Sequence, residues 1–115
     1  MSDLQVKTKR DGDLGFLAVT GELRTEIAYE LYAAAKGLLE DGAKHLLFDL
    51  GGVVFMDSAS LATFIRLHGE LEKASSRLVL YGASKAVRRV LDVSGLADRF
   101  LLADDEAGAR ALALA

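Results

Sequence analysis

The stretch HLLFDLGGVVFMDSASL, residues 45–61, decides how this chain folds. Its first half, His45 to Leu50, is a short and mostly apolar run, the pattern of a central strand covered by other elements. Gly51 and Gly52 then end the strand in this reading, as residues that permit a tight turn. A second apolar segment finishes at Phe55-Met56 and meets Asp57, Ser58, Ala59 and Ser60. Leu61, Phe64, Ile65, Leu67 and Leu71 follow at helical spacing. Ser58 therefore stands at a helix entrance, beside unpaired backbone N–H groups and in the favourable field of the helix dipole. Two roles fit that place. Asp and Ser are common N-cap residues, and an accessible hydroxyl there can also carry a phosphate.

Working outward towards the N-terminus, residues 4–10 and 14–20 are strand-like runs separated by Asp11-Gly12-Asp13. That turn predicts an antiparallel hairpin. Gly21-Glu22-Leu23-Arg24-Thr25 breaks the pattern. Ile27, Ala28, Leu31, Ala34, Ala35, Leu38 and Leu39 then predict a first helix, closed by Gly42, with one face on a sheet. On the other side, the second helix ends near Ala74-Ser75-Ser76, and Leu78 to Tyr81 reads as a strand closed by Gly82. Val87, Val90 and Leu91 mark a third helix capped near Ser94-Gly95. Phe100-Leu101-Leu102 reads as a last strand, before a helix from about Asp104 whose Ala-rich end, residues 107–115, frays. The order is ββαβαβαβα in a single domain, residues 1–115. This is the α/β class: a mixed sheet reached by right-handed crossovers, with helices largely on one face.

The bulk composition narrows the function. With 115 residues the chain can bury roughly 60–65 % of its unfolded surface and fold without staples. Half of it is apolar and about a quarter charged, as in an ordinary globule. The net charge is −3, and Lys and Arg form no block or interleaved aromatic platform, which argues against a nucleic-acid partner. Absence of cysteine removes disulfides and thiolate chemistry. No basic-then-apolar leader and no run of about 18 apolar residues is present, which predicts neither signal peptide nor membrane span and a cytoplasmic location.

Enzyme chemistry finds little support. His45 and His68 are isolated, without HExxH or paired-histidine spacing, so neither a metal nor a cofactor is expected. Ser58 lacks a GxSxG elbow, and Gly51-Gly52 matches neither GxGxxG nor a phosphate loop. Asp49 and Asp57 invite comparison with a phospho-accepting receiver domain, but the chain opens on a hairpin and has Thr20-Gly21 where that fold needs acids. Lys85, Arg88 and Arg89 on the third helix read either as a solvated face or as phosphate contacts.

Three ordered blocks resemble the STAS domain family, specifically the single-domain bacterial anti-sigma factor antagonists. They are Gly21-Glu22-Leu23; Leu47 to Val53 leading into Phe55-Met56-Asp57-Ser58; and Leu80 to Ser84 with Val87 to Leu96. The resemblance implies that Ser58 is phosphorylated by a partner kinase of the GHKL type that is also the anti-sigma factor, and is restored by a PP2C-type phosphatase. It implies a non-enzymatic partner switch in which the unmodified form binds the anti-sigma factor and frees the sigma factor. The implied partner-facing residues are Gly21, Glu22, Arg24, Thr25, Asp57, Ser58, Ala59, Ser60, Gly82 and Ser84. Two positions depart from the family pattern: Ser60 replaces a usual glycine and offers a second hydroxyl, and Arg24 replaces a usual aspartate. Alternatives within the same fold are an unphosphorylated adaptor of a lipid-transport ATPase, in which Asp57-Ser58 is only a cap, and a stressosome-like scaffold. Homodimer formation is left open.

Overall fold

A computed structural model describes residues 4–115. Its strands are β1 (Gln5–Asp11), β2 (Leu14–Leu23), β3 (His45–Met56), β4 (Leu78–Tyr81) and β5 (Leu101–Ala103). The helices are α1 (Ala28–Glu40), α2 (Leu61–Lys73), α3 (Lys85–Ser94) and α4 (Glu106–Leu114). Single 3₁₀ turns at Thr25–Ile27, Ser58–Ser60 and Ala97–Arg99 lead into or out of them. The strands lie side by side in chain order. β1 and β2 pair antiparallel around Gly12, whose φ of 59° the tight turn requires, and every later pairing is parallel.

Side-chain alternation along the strands makes two apolar faces. Leu17, Val19, Leu46, Phe48, Leu50, Val53, Leu78 and Leu80 meet the apolar stripes of α1, α2 and α3 in the main core. There Phe64 stacks edge-on against Phe48 at 5.2 Å and Phe100 at 6.5 Å between ring centroids. Fully burying a side chain of this size contributes about 1.5–3 kcal/mol. On the opposite face, Leu14, Phe16, Leu47, Val79 and Tyr81 are covered by α4 through Ala109 and Ala113. Three helices thus share one face, and the small side chains of α4 let it lie close on the other.

The glycine pair 51–52 is not a turn. β3 runs straight through it for 12 residues, to Met56. The physical reason lies in β2, where the register with β3 shifts between Ala18 and Thr20. A Cβ built on Gly52 would stand 2.5 Å from Thr20 Cγ2 and 3.2 Å from the Val19 carbonyl oxygen. Glycine is there because the neighbouring strand approaches too closely for a side chain. β2 likewise continues past Gly21, whose φ of 101° accompanies the second shift in register, and ends only at Leu23. Phe100 precedes β5, closing the Ala97–Arg99 turn and turning its ring into the core.

Candidate functional site

The parallel strands β2, β3 and β4 all point the same way, so the segments that follow them gather at one edge of the sheet. That edge holds Gly21 to Thr25 after β2, Asp57 to Ser60 after β3, and Gly82 to Ser84 after β4. Asp57 is its hub. One carboxylate oxygen accepts from the Thr25 backbone N–H at 3.0 Å, and the Thr25 hydroxyl lies 3.1 and 3.2 Å from the two oxygens. The other oxygen accepts from the Ser60 N–H at 2.9 Å and the Ser60 hydroxyl at 2.5 Å. Asp57 therefore caps its own turn and ties the end of β3 to the end of β2. Burial pushes its carboxyl pKa up, but the hydrogen bonds from Ser60 and Thr25 together outweigh that and hold it below the usual value.

The two serines separate completely. Ser60 is 1 % exposed, and its hydroxyl also lies 3.1 Å from the Leu23 carbonyl oxygen. Ser58 is exposed, and its hydroxyl has no hydrogen-bond partner among the described residues. The cap belongs to Asp57, and Ser58 opens the 3₁₀ turn that precedes α2. Ala59 beside it is exposed as well.

Arg24 does not project as a free charge. Its guanidinium folds back on Glu22, at 2.9 and 2.5 Å, and lies 4.4 Å from the centre of the Phe55 ring. Ser84 caps α3, with its oxygen 3.4 Å from the Val87 nitrogen, and donates to the Val53 carbonyl at 2.7 Å. Gly82 sits apart from the Ser58 turn. Its N–H reaches Ala103, and a Cβ there would meet Asp49, whose carboxylate accepts from Gly51 N–H. The candidate residues thus form one cluster around Asp57, a Glu22–Arg24 pair beside it, and a separate Gly82–Asp49 corner.

Sequence reading missed the apolar rim of this edge. Val54 is 67 % exposed, Phe55 39 % and Val93 82 %. The signal for Val93 was its place outside the Val87–Leu91 stripe. Val93, Val90, Arg89 and Ser94 of α3 line an open groove together with Ser58. Neither histidine lies at this edge: His45 Nδ1 accepts from the Arg77 N–H at 3.0 Å, and His68 stacks edge-on against Phe100. Among the described residues no group of three His, Cys, Asp or Glu side chains is placed to hold a metal, and no helix is long and apolar enough to cross a membrane.

A family model described as "Mlab, STAS domain" matches residues 6–103. The chain belongs to the STAS domain family. This STAS domain is 31 % identical over 96 residues to the anti-sigma-B factor antagonist of Listeria monocytogenes, a match that takes in 78 % of this chain and 79 % of the relative. Its fold superposes on an anti-sigma factor antagonist from Mycobacterium paratuberculosis with a TM-score of 0.85 at 21 % identity, covering 98 % and 96 % of the two chains. It also superposes on the anti-sigma factor antagonist SpoIIAA. The TM-score is 0.76 for the unphosphorylated form, at 21 % identity and 96 % of each chain. For the phosphorylated form it is 0.68, at 20 % identity, 96 % of this chain and 99 % of the other.

Proposed function

We propose that this STAS domain is a cytoplasmic anti-sigma factor antagonist controlled by reversible phosphorylation of Ser58. The unmodified domain binds an anti-sigma factor that is also a GHKL-type serine kinase, and so releases a sigma factor; a PP2C-type phosphatase reverses the modification. The observation that carries this reading is the contrast between the two serines of the turn: Ser58 is exposed and unbonded, whereas Ser60 is buried and doubly bonded. A kinase can reach the first without disturbing the fold. Support also comes from the antagonist named among its relatives and from a fold neighbour described in both phosphorylation states.

The chemistry is a phosphoryl transfer performed by the partner. The Ser58 Oγ–P bond forms, the β–γ anhydride of ATP breaks, and ADP and the hydroxyl proton leave. The product carries about −1.5 to −2 charge and three acceptor oxygens at one surface point. A partner surface shaped for a neutral hydroxyl then faces a desolvated dianion, which costs several kcal/mol. About 2.7–4 kcal/mol already weakens binding a hundredfold to a thousandfold.

Intact mass with site mapping, after incubation with ATP and the candidate kinase, tests this reading. One phosphate on Ser58, absent in Ser58→Ala, is the expected result. No phosphate from a kinase shown active on another substrate would refute it. That outcome would favour the second reading, the unphosphorylated adaptor, in which this turn serves only as the helix cap that Asp57 forms.

A further inference from the structure

The stripes of α3 divide its work. Val87 and Leu91, four residues apart, are buried against the sheet, and Val90 is half-buried beside them. Arg89 and Val93, also four apart, form the next stripe and are exposed along the groove shared with Ser58. The guanidinium groups around this edge differ in one respect. Arg88 is engaged, reaching the Ala83 carbonyl at 3.3 Å and Asp104 at 3.5 Å, and Arg24 is held by Glu22. Arg89 has no carboxylate within ion-pair distance among the described residues. The nearest acid in sequence to Ser58, Asp57, is occupied by donors from Thr25 and Ser60. The groove therefore holds one unpaired guanidinium, one unbonded hydroxyl and an apolar wall.

Taking Ser58 as the modified residue, we propose that Arg89 binds the phosphate of phospho-Ser58 across this groove. A guanidinium presents a planar fork of donors that matches phosphate oxygens, and the wall of Val90 and Val93 keeps water from one side of the pair. Phosphorylation then does two things at once. It adds charge at the turn, and it draws phosphate and Arg89 together over Val93, closing the apolar groove to a partner side chain. Arg89 is a binding residue for the modification and takes no part in the transfer itself.

The test uses the full chain with phosphoserine installed at position 58 during translation, so that no kinase is needed. The second ionisation of the phosphate is followed by ³¹P NMR in the parent chain, Arg89→Gln, Arg89→Lys and Arg88→Gln, with circular dichroism confirming that each is folded. A cation beside the phosphate favours its dianion, so the parent should ionise about half a pH unit below Arg89→Gln at low salt. Arg89→Lys should keep part of that difference, and Arg88→Gln should match the parent. The proposal is overturned if the parent and Arg89→Gln agree within about 0.1 pH unit, or if Arg88→Gln shifts the value as far as Arg89→Gln does. Failure of the kinase to modify Ser58 would strike the function proposed above, and leave this titration to stand or fall separately.

Discussion

Replacing Asp57 by alanine removes the carboxylate that caps the Ser58–Ser60 turn and ties it to Thr25, 32 residues earlier. Loss of an N-cap costs about 1 kcal/mol. A hydrogen bond to a charged acceptor contributes about 1.5–3 kcal/mol when shielded, but Thr25 is exposed, and solvent screening reduces its bonds to about 1 kcal/mol. Ser60 is not orphaned, because its hydroxyl keeps the Leu23 carbonyl and its N–H keeps the Asp57 carbonyl. The sum is about 2 kcal/mol, a fall of about 8 °C in Tm for a chain of this length. The same carboxylate gives the effect a pH signature. Its pKa is lowered in the fold from an ordinary 3.8, so its stabilisation is complete above that value and is lost as pH falls through the folded-state pKa. Thermal unfolding of the parent and Asp57→Asn should therefore show a gap at neutral pH that narrows on acidification towards about pH 3. A gap that stays constant across that range, or an Asp57→Ala fall below about 2 °C, would refute the role of Asp57 as the tie between β2 and β3.

Other perturbations bear on the same edge. Ser60→Ala should cost about 1 kcal/mol in urea unfolding, since Leu23 still accepts from the Asp57 N–H, and it should leave phosphate incorporation at Ser58 intact. Gly52→Ala should destabilise by about 1–3 kcal/mol through its collision with β2, and adding Thr20→Ala should recover part of the loss by removing the Cγ2 methyl. Ser84→Ala should cost about 1–2 kcal/mol, because it removes both the α3 cap and the bond to Val53, and amide exchange should speed up in the first turn of α3.

The parts of this fold that were legible in sequence are those set by local chemistry. The Asp11–Asp13 turn, the Val87–Leu91 stripe and the Ser94-Gly95 stop of α3 each depend on residues within a few positions of one another, and Gly95 takes the left-handed conformation its place requires, with φ 73°. The glycine pair of β3 was misread because its cause lies on another strand: Gly51-Gly52 looks like a turn unless Thr20 is known to stand against it. The site divides in the same way. Asp57 and Ser58 could be found from their place before an apolar helix, but the burial that separates Ser58 from Ser60 depends on a long-range partner as well as a local one. Their difference comes from the Leu23 carbonyl and the Asp57 carboxylate, which draw Ser60 inward. Arg24 likewise looked like a reversed charge facing a partner; its pair with Glu22 is local, two residues back, whereas its packing on Phe55 becomes visible only when β2 and β3 lie side by side.

The arrangement also determines what kind of switch this edge can be. A modification that had to break Asp57's bonds would work against the tie between β2 and β3, and would couple signalling to partial loss of the fold. Ser58 avoids that cost, because its hydroxyl supports nothing and its backbone is held by the neighbours on either side. Added charge then alters only what the surface presents. The surface beside it carries Phe55 and Val93 as exposed apolar area. On the proposed mechanism the free energy of switching therefore resides mainly in the interface with the partner, and the added charge does not loosen the domain itself. Equal Tm values for Ser58→Ala, Ser58→Glu and the parent, within about 2 °C, are the expected result in thermal unfolding. A Ser58→Glu chain that melted well below Ser58→Ala would instead mean that charge at this position opens the Asp57 hub and that the switch acts through the fold.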